Sequence, residues 1–368
     1  MPCKSNGDTV QQGNCPTVTL ENNAKKCVVL LSGGVDSTVA AHLLKNQGWK
    51  LYGLFLALTE DDSTSISLQA AQEIASSLHI EFGIKKIQKE FKEQVINYFI
   101  DQYLEGMTPN PCVVCNPNIK IKFGLKMCKE VGADYLATGH YAKTLQLDHD
   151  EYGLFKADDP NKDQTYFLHQ IPSKWLSKII FPLGTLNKTE VIKIAEKAGL
   201  KKSTLKESQE ICFIKSDYRS FLQSQSITLP DSGKIINKNG KILGTHKGLY
   251  SYTIGQRRGL SIPDKTPYYV TGMDWKKNLL IVGKEQDLYS PTLTVKKINL
   301  LVSQEELLGQ PCDVKIRSRH SGAKAQLKIL NDDAIEVLFE EPQKAITPGQ
   351  FAVFYRGSKV LGGGQICA

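Results

Sequence analysis

The sequence lacks the features of a membrane or secreted protein. No apolar run approaches the roughly 18 residues that a membrane-spanning helix needs, and the start lacks the charged-then-apolar order of a signal peptide. The nine cysteines are odd in number and irregularly spaced, which argues against a disulfide framework and for reduced thiols. We therefore expect a cytoplasmic protein without a membrane partner.

Two further absences argue against a closed zinc site and against a mitochondrial transit peptide. In TPNPCVVCN, residues 108–116, the prolines and asparagines are expected to keep the chain from forming a regular helix. Its Cys112 and Cys115 form a CxxC pair, but neither a second CxxC nor a spaced Cys/His pair completes the four ligands of a closed zinc site. Arginine is absent from residues 1–26, which include Asp8 and Glu21, unlike a mitochondrial transit peptide. Because these residues are polar and show no apolar periodicity, we expect a disordered tail.

The length and charge of the chain suit a multidomain protein with a polyanionic partner. A chain of 368 residues predicts two or three domains. Its 46 Lys and Arg residues exceed its 38 Asp and Glu residues, giving a net charge of +8. Contacts between such an excess and phosphates would release counterions and supply affinity that does not depend on base sequence.

Short apolar runs alternate with amphipathic stretches from residue 27 to about residue 215. CVVLL precedes TVAAHLLKNQG, LYGLFLAL precedes SLQAAQEIASSLH, and KFGLKMCKEVG precedes DYLATGHY. This alternation predicts an α/β domain with a parallel sheet covered by helices on both faces, whose ligands lie beyond the carboxyl ends of the strands. A further helix is predicted to open at Asn187, with Glu190 at capping-box spacing, and to stop at Gly199.

The chain beyond residue 215 is Gly-, Pro- and β-rich, which predicts one or two small β-domains. In DVKIRSR the pattern of period two places Lys315, Arg317 and Arg319 on one face of a strand, with Val314 and Ile316 on the other. The stretch AQLKIL, NDD, AIEVLF predicts a hairpin.

A glycine loop follows the first predicted strand. In SGGVDS, residues 32–37, two glycines let the backbone turn tightly, and the helix behind them directs free amides at an anion. The hydroxyls of Ser32 and Ser37 can add donors, so phosphate is the natural ligand. A tight turn with a helix cap is the alternative. The GxxxxGK[ST] spacing of a Walker loop and its lysine are missing.

This loop resembles the PP-loop of ATP pyrophosphatases, and further motifs extend the resemblance over residues 27–368 to the tRNA-specific 2-thiouridylases of bacteria and organelles. Those motifs are TPNPCVVCN, GADYLATGHYAK, KDQTYFL, ESQEICFI, HKGLYSYTIGQRRGL and ITPGQFAVFY. The resemblance implies that sulfur replaces the C2 oxygen of the wobble uridine in lysine, glutamate and glutamine tRNAs. ATP would adenylate that oxygen and release pyrophosphate, after which sulfur carried by the enzyme would displace AMP.

The resemblance also implies a division of the chain and a nucleotide site. We expect a PP-loop catalytic domain at 27–215, a central β-rich tRNA-binding domain at 216–285 and a C-terminal β-barrel at 286–368. Asp36 is expected to help organise Mg²⁺ on the pyrophosphate. The residues expected to bind ATP are Ser32, Gly33, Gly34, Val35, Asp36, Ser37, Leu56 and Gly139.

The cysteines would carry the sulfur. Cys212 matches the family's sulfur carrier, which receives a persulfide from a cysteine desulfurase or relay protein, and Cys115 matches the cysteine that resolves it through a transient disulfide. Cys112 stands where well-studied members carry Asp. An alternative to persulfide chemistry is therefore a [4Fe-4S] cluster held by Cys112, Cys115 and Cys212. A third interpretation is that these cysteines bind zinc or are inert thiols. Cys27 and Cys128 are expected in the core.

Several residues match family motifs near the substrate. His140 lies in one of these motifs, although a histidine buried near the core would give the same pattern. Asp163 and Gln164 lie in another, although a helix cap is the alternative for that pair. In HKGLYSYTIGQRRGL, basic side chains suit RNA phosphates and the rings of Tyr250 and Tyr252 suit splayed bases, although an exposed basic hairpin gives the same pattern. The remaining predicted contacts with the tRNA anticodon region are His246, Lys247, Gln256, Arg257, Arg258, Lys315, Arg317 and Arg319.

Two rival functions share parts of this pattern. A PP-loop synthetase of small molecules would need SGGVDS but neither the three cysteines nor a basic β-domain. A non-catalytic RNA-binding protein with a structural metal would need no ATP. Release of AMP that does not require tRNA would favour the first, and ATP consumption that strictly requires tRNA would exclude the second.

Overall fold

The N-terminal half of the chain is built on a parallel sheet. The computed structural model describes residues 25–148, 151–200, 211–225 and 227–367, so the predicted tail lies outside the described residues up to residue 24. The strands of this half are β1 (Lys26–Leu30), β2 (Lys50–Ala57), β3 (Glu81–Lys86), β4 (Tyr135–Ala137), β5 (Lys143–Gln146), β6 (Tyr152–Phe155) and β7 (Ile179–Ile180). Five of them form a sheet in the order β3-β2-β1-β4-β7, and every pair in it is parallel.

Helices connect these strands. They are α1 (Val35–Asn46), α2 (Ile66–Ser77), α3 (Gln88–Phe91), α4 (Asn97–Leu104), α5 (Pro111–Cys115), α6 (Lys122–Val131), α7 (Thr165–Leu168) and α8 (Lys188–Lys197). A π-helical segment, Asn116–Ile121, joins α5 to α6. The predicted capping box of α8 is present, because the side chains of Asn187 and Glu190 each accept the other's backbone N–H.

The two faces of the sheet are buried in different cores because alternate strand residues point in opposite directions. Cys27 and Val29 of β1 pack with Ala41 and Leu44 of α1 in one cluster. On the opposite face Val28 lies in a second cluster that also contains residues of the C-terminal strands. The expected core positions of Cys27 and Cys128 are confirmed, with exposures of 0% and 4%.

A small sheet follows the α/β domain. It begins after helix α9 (Tyr218–Ser224), and its strands are β8 (Gly233–Asn237), β9 (Ile242–His246), β10 (Tyr269–Asp274) and β11 (Leu279–Gly283). Their order is β10-β11-β8-β9. Its own buried cluster includes Ile235, Val270 and Val282.

The last part of the chain closes into a barrel. Its strands are β12 (Tyr289–Leu300), β13 (Cys312–Lys315), β14 (Ala323–Asn331), β15 (Ala334–Lys344), β16 (Phe351–Arg356) and β17 (Lys359–Ile366), with the short helix α10 (Gln304–Leu308) after β12. The order β12-β15-β14-β13-β16-β17 is closed because β12 also pairs with β17. The predicted hairpin is the antiparallel pair β14 and β15, and an α/β domain followed by β-rich domains with a final barrel is confirmed.

One strand expectation is corrected. Strand β13 ends at Lys315, and Arg317 and Arg319 lie exposed in the bend and turn that follow. Val314 and Ile316 are buried as expected. The alternation of burial thus runs on past the last residue that is paired in the sheet, which is why the pattern suggested a longer strand.

The barrel is fused to the α/β domain rather than tethered to it. The hairpin of β5 and β6 extends the barrel sheet at the edge of β17. Tyr166 of α7, which is 1% exposed, donates its hydroxyl to the carbonyl of Phe351 at 3.0 Å. Within the described residues, no helix is long and apolar enough to cross a bilayer.

Candidate active site

The glycine loop turns directly from β1 into α1. Gly33 has φ +77°, and a Cβ there would lie 2.5 Å from the carbonyl oxygen of Ser67, so only glycine fits without displacing the neighbouring backbone. Gly34 occupies the N-cap of α1 and makes no side-chain cap, which leaves the first amides of the helix for an anion.

The two serines of the loop hold its shape. The hydroxyl of Ser37 donates to the carbonyl of Gly34 at 2.9 Å and accepts the backbone N–H of Ser32 at 3.2 Å. The hydroxyls of Ser32 and Ser37 also lie 3.2 Å apart. These bonds make the backbone amides, rather than the hydroxyls, the ready donors for a phosphate.

Two further predicted nucleotide-site residues follow or end the strands that neighbour β1. A Cβ on Gly139 would lie 2.7 Å from the backbone nitrogen of Ser37, so the segment after β4 touches the glycine loop. Leu56, at the end of β2, is half-buried and packs against the buried cluster around Cys115. Both residues therefore lie at the carboxyl edge of the sheet, where the ligands of such folds bind.

Asp36 is already engaged in the loop. Its Oδ1 atom accepts the Tyr141 hydroxyl at 2.8 Å and lies 2.7 Å from the Nζ atom of Lys188. Lys188 did not stand out in the sequence, because the residue that it contacts is far away along the chain.

Cys112 and Cys115 lie on a helix, which corrects the expectation that prolines and asparagines keep this stretch irregular. Pro111 is the first helical residue, where its missing N–H costs no hydrogen bond. Pro117 lies in the π-helical segment that continues the helix, and this wider turn accommodates a residue without an N–H. Cys115 is 5% exposed.

Lys120 is the cation of the thiol site. It lies in the π-helical segment after Cys115, and its charge interacts with Cys112, Cys115 and Cys212. Burial alone would lower the pKa of Lys120, but the three cysteines raise it above its ordinary value. An ammonium kept charged beside sulfur favours the thiolate form.

Burial outweighs this cation for the free thiols. It raises the pKa of Cys115 to about 12, with Lys120 acting in the opposite direction, and it raises the pKa of Cys112 with the same opposition. Cys212 is exposed, yet the protein around its sulfur still desolvates it and raises its pKa. Burial therefore favours the protonated form of all three resting thiols at neutral pH, and the Lys120 charge acts against it.

The segment that carries Cys212 is anchored by its next residue. The ring of Phe213 packs edge-on against Phe99 at 5.4 Å and Phe91 at 5.8 Å between ring centroids, and tilted against Phe221 at 5.3 Å. The first part of the ESQEICFI motif falls in residues 201–210, outside the described residues. Cys212 is thus held at the surface by an aromatic anchor beneath it.

His140 connects the two sites. It follows Gly139, which touches the glycine loop, and its imidazole interacts electrostatically with the charge of Lys120. Burial, with Lys120 as the second cause, lowers the pKa of His140 to about 3, so the imidazole is neutral at physiological pH. Its Nδ1 atom lies 2.8 Å from the Thr138 hydroxyl.

Asp163 and Gln164 make internal contacts. Gln164 accepts the backbone N–H of Tyr141 on its side-chain oxygen at 3.0 Å, which steadies the segment after His140. Asp163 accepts the Thr165 hydroxyl at 2.8 Å and the Ala157 N–H at 3.2 Å. Both are half-buried, so the structure gives them a supporting role beside the site.

Part of the predicted tRNA surface is buried. His246 is 1% exposed; its Nε2 atom lies 3.2 Å from the carbonyl of Asn278, and its Nδ1 atom accepts the N–H of Gly248. Tyr250 and Tyr252 are each 7% exposed. The expectation that these three residues contact RNA is therefore corrected. Both ring nitrogens of His246 have hydrogen-bond partners and the rings of Tyr250 and Tyr252 are covered, so all three belong to the core.

The remaining basic residues face solvent. Lys247, Arg257 and Arg258 are exposed, and Gln256 holds their loop by accepting the N–H of Thr253 and donating to the carbonyl of Arg258. On the barrel, Arg317 and Arg319 are exposed, whereas Lys315 is half-buried, with its Nζ atom 5.6 Å from the ring centroid of Tyr355. Exposed cations on both β-domains remain available to a phosphate backbone.

Among the described residues, no group of three or more His, Cys, Asp or Glu side chains is arranged to hold a single metal ion. Zinc therefore has no support in the described part of the chain. A [4Fe-4S] cluster is larger than one ion, and three thiolates would hold three of its four irons and leave the fourth iron open. The three thiols around Lys120 supply the right donor type for such a cluster, while the ammonium among them equally suits an anionic sulfur.

Comparison with known proteins identifies the family. Residues 25–216 match the family model described as "tRNA methyl transferase HUP domain", residues 219–284 the "tRNA methyl transferase PRC-barrel domain" and residues 290–366 the "Aminomethyltransferase beta-barrel domain". The tRNA-specific 2-thiouridylase MnmA of Syntrophomonas wolfei is 41% identical over 345 residues, 93% of this chain and 99% of that protein. The chain belongs to the tRNA-specific 2-thiouridylase family.

Another member of the 2-thiouridylase family shows a comparable identity over most of its length. The MnmA protein of Halalkalibacterium halodurans is 43% identical over 352 residues, 93% of this chain and 94% of that protein. Among solved structures, the U34-tRNA thiolase NcsA from Methanococcus maripaludis with its [4Fe-4S] cluster is 22% identical with a TM-score of 0.37, covering 54% of this chain and 64% of that chain. Similarity at this level carries no information about the cofactor of this chain.

Proposed function

We propose that this protein is an ATP-dependent tRNA-uridine 2-sulfurtransferase that acts on the wobble uridine of lysine, glutamate and glutamine tRNAs. The observation that carries the proposal is the adjacency of two sites. Gly139 packs on the glycine loop, and Leu56, at the same edge of the sheet, packs against the buried cluster that contains Cys115. A nucleotide bound at the loop would thus lie beside the sulfur chemistry.

The first half-reaction activates the base. ATP would bind with its phosphates on the amides at the start of α1. The carboxylate of Asp36 would help to hold a Mg²⁺ ion, which would supply positive charge to the phosphates. The C2 oxygen of a uridine turned out of its stack attacks the α-phosphorus, and pyrophosphate leaves. Neutral His140 offers a hydrogen bond to the base without adding charge.

The second half-reaction delivers sulfur. The terminal sulfur of a Cys212 persulfide attacks C2, and AMP leaves with the former C2 oxygen. Cys115 then attacks the sulfur of Cys212, the bond to the transferred sulfur breaks, and a Cys115–Cys212 disulfide forms that must be reduced before the next turnover. Because a persulfide is more acidic than its thiol, Lys120 needs only to stabilise an anion that already forms readily.

The persulfide must come from another protein. A cysteine desulfurase or a persulfide relay protein would dock at the exposed face of Cys212. Both tRNA and such donors are found in the cytoplasm, which is the location that the proposal assigns to this protein.

The test is the formation of 2-thiouridine in nuclease digests of unmodified lysine tRNA. Anaerobically purified protein is incubated with Mg-ATP and, in parallel reactions, either a persulfide donor (a cysteine desulfurase with cysteine) or sulfide. Each reaction is run before and after iron chelation, beside the Cys212→Ala and Cys112→Ala variants. Product that survives chelation and the Cys112→Ala change, but not Cys212→Ala, supports the persulfide route. Product that is lost on chelation and restored by rebuilding the cluster would assign Cys112, Cys115 and Cys212 to iron. Absence of product under every condition would contradict the proposed function.

A further inference from the structure

The glycine loop carries no positively charged side chain. Residues 27–37 contain neither Lys nor Arg, although a loop of this kind holds the phosphates of ATP. Asp36 even adds a negative charge in the first turn of α1. Backbone amides and one Mg²⁺ would then have to balance both the polyphosphate and the carboxylate.

Lys188 brings a cation to this loop from a distant part of the chain. Its Nζ atom lies 2.7 Å from Asp36 Oδ1, with side-chain exposures of 18% for Lys188 and 29% for Asp36. Tyr141, which is 1% exposed, donates its hydroxyl to the same oxygen. The ammonium is therefore set at the start of α1, where the phosphates bind.

The position of Lys188 is fixed by the fold rather than by its own side chain alone. It is the first residue of α8, and its backbone N–H donates to Asp159 Oδ2 at 3.1 Å. Helix α8 packs on α1 through Val191 and Val39, which share a buried cluster. The capped end of α8 thus holds the lysine against the loop.

We propose that Lys188 is the phosphate-binding cation that the loop lacks: it neutralises Asp36 while the loop is empty and binds the β- and γ-phosphates of ATP when Mg²⁺ takes the carboxylate. This inference rests on the proposed use of ATP. Mg²⁺ prefers carboxylate and phosphate oxygens together, so its arrival on Asp36 releases the ammonium to the nearest anion. A lysine acts on phosphate as a point charge and needs no paired geometry.

The decisive comparison is between ATP and AMP, because AMP lacks the two outer phosphates. In the Lys188→Met variant we expect the affinity for Mg-ATP, measured by calorimetry, to fall about 10- to 100-fold, the usual weight of a charge-assisted contact. The affinity for AMP should change by less than about twofold. The matched control is Lys193→Met on the exposed side of the same helix, which should leave both affinities unchanged.

Equal losses for ATP and AMP would show that Lys188 only holds the loop in shape and would overturn the inference, as would an unchanged ATP affinity. Lys188→Arg keeps the charge and should retain most of the affinity for ATP. A loss as large as that of Lys188→Met would contradict a role for the charge.

A measurement on the unaltered protein removes any dependence on the folding of variants. An amine-reactive ester labels Lys188, and peptide mass spectrometry measures the rate. Mg-ATP and Mg-pyrophosphate should protect Lys188, and AMP should not; protection by AMP alone, or by none of the three, would overturn the inference. Failure of the proposed function is separate, because it would appear as wild-type protein that makes no 2-thiouridine.

Discussion

The glycine loop and the thiol site lie side by side at the carboxyl edge of the parallel sheet, yet they are built in different ways. The loop is six consecutive residues whose function lies in the backbone, as the positive φ of Gly33 shows. The thiol site is assembled from the α5 helix and the distant Cys212 segment around Lys120. A change in the loop should therefore act through backbone shape, and a change in the thiol site through one reactive or charged group.

The largest effect should come from removing Cys212, the proposed sulfur carrier. Cys212→Ala should lower the rate of 2-thiouridine formation by at least about 1,000-fold, as the loss of a nucleophile does, while ATP affinity stays the same because the loop is untouched. Mass spectrometry of tRNA digests measures the rate of 2-thiouridine formation, and calorimetry measures the affinity for ATP. Cys367→Ala, at a half-buried cysteine outside the site, is the control. Thiolation that persists in Cys212→Ala would contradict the assignment.

The converse change breaks the loop and spares the thiols. Gly33→Ala places a Cβ 2.5 Å from a carbonyl oxygen at φ +77°, so we expect ATP affinity to fall about 10- to 100-fold. The alkylation rate of Cys212 should not change. Gly48→Ala is a matched control, since Gly48 also has a positive φ but meets no atom within 4 Å. Equal effects of the two substitutions would show that the contact with Ser67 is unimportant.

A smaller effect should come from the cation of the thiol site. The Lys120 ammonium lowers the pKa of Cys212 against the effect of burial, so Lys120→Met should raise that pKa further and leave less thiolate at any fixed pH. We expect iodoacetamide to alkylate Cys212 about 3- to 10-fold more slowly at pH 8, with the difference shrinking as pH rises. Lys122→Met, at an exposed neighbour, is the control. An unchanged or faster rate would refute the role of Lys120.

The smallest effect should come from the RNA surface, which leaves both sites intact. Arg257 is exposed in a loop of the central domain. Arg257→Ala should weaken tRNA binding by about threefold and reduce the slope of log affinity against log salt by about one, as expected for one lost phosphate contact. Filter binding over a salt series measures both quantities. An unchanged slope would place Arg257 outside the RNA footprint.

The comparison also explains what could be predicted from the sequence. Gly33 was recognisable because a tight turn requires glycine within a short, continuous sequence motif. The alternation of apolar runs with amphipathic stretches predicted the parallel sheet. Lys188 was missed because the tertiary fold alone brings Asp36 to it. Lys120 was missed because its charge meets Cys112 and Cys115 through the continuous helical segment, and Cys212 through the tertiary fold. A sequence pattern states which residue types recur, whereas the meeting of distant side chains depends on packing.

Two expectations from the sequence differ from the structure. The prolines near Cys112 suggested an irregular loop, but Pro111 suits the first position of a helix and a π-helical segment contains Pro117. His246 lies in a basic and aromatic stretch that suggested RNA contact, yet it is buried. Polar and aromatic residues look alike in sequence whether they face a nucleic acid or complete a core.

The most direct test of the account is to count AMP and 2-thiouridine in the same reaction. Wild-type protein is supplied with Mg-ATP and a persulfide donor, with and without unmodified lysine tRNA, and both products are measured by mass spectrometry. The account predicts that AMP appears only with tRNA and in a ratio of about one to each 2-thiouridine formed. Release of AMP without tRNA, or 2-thiouridine without AMP, would contradict it.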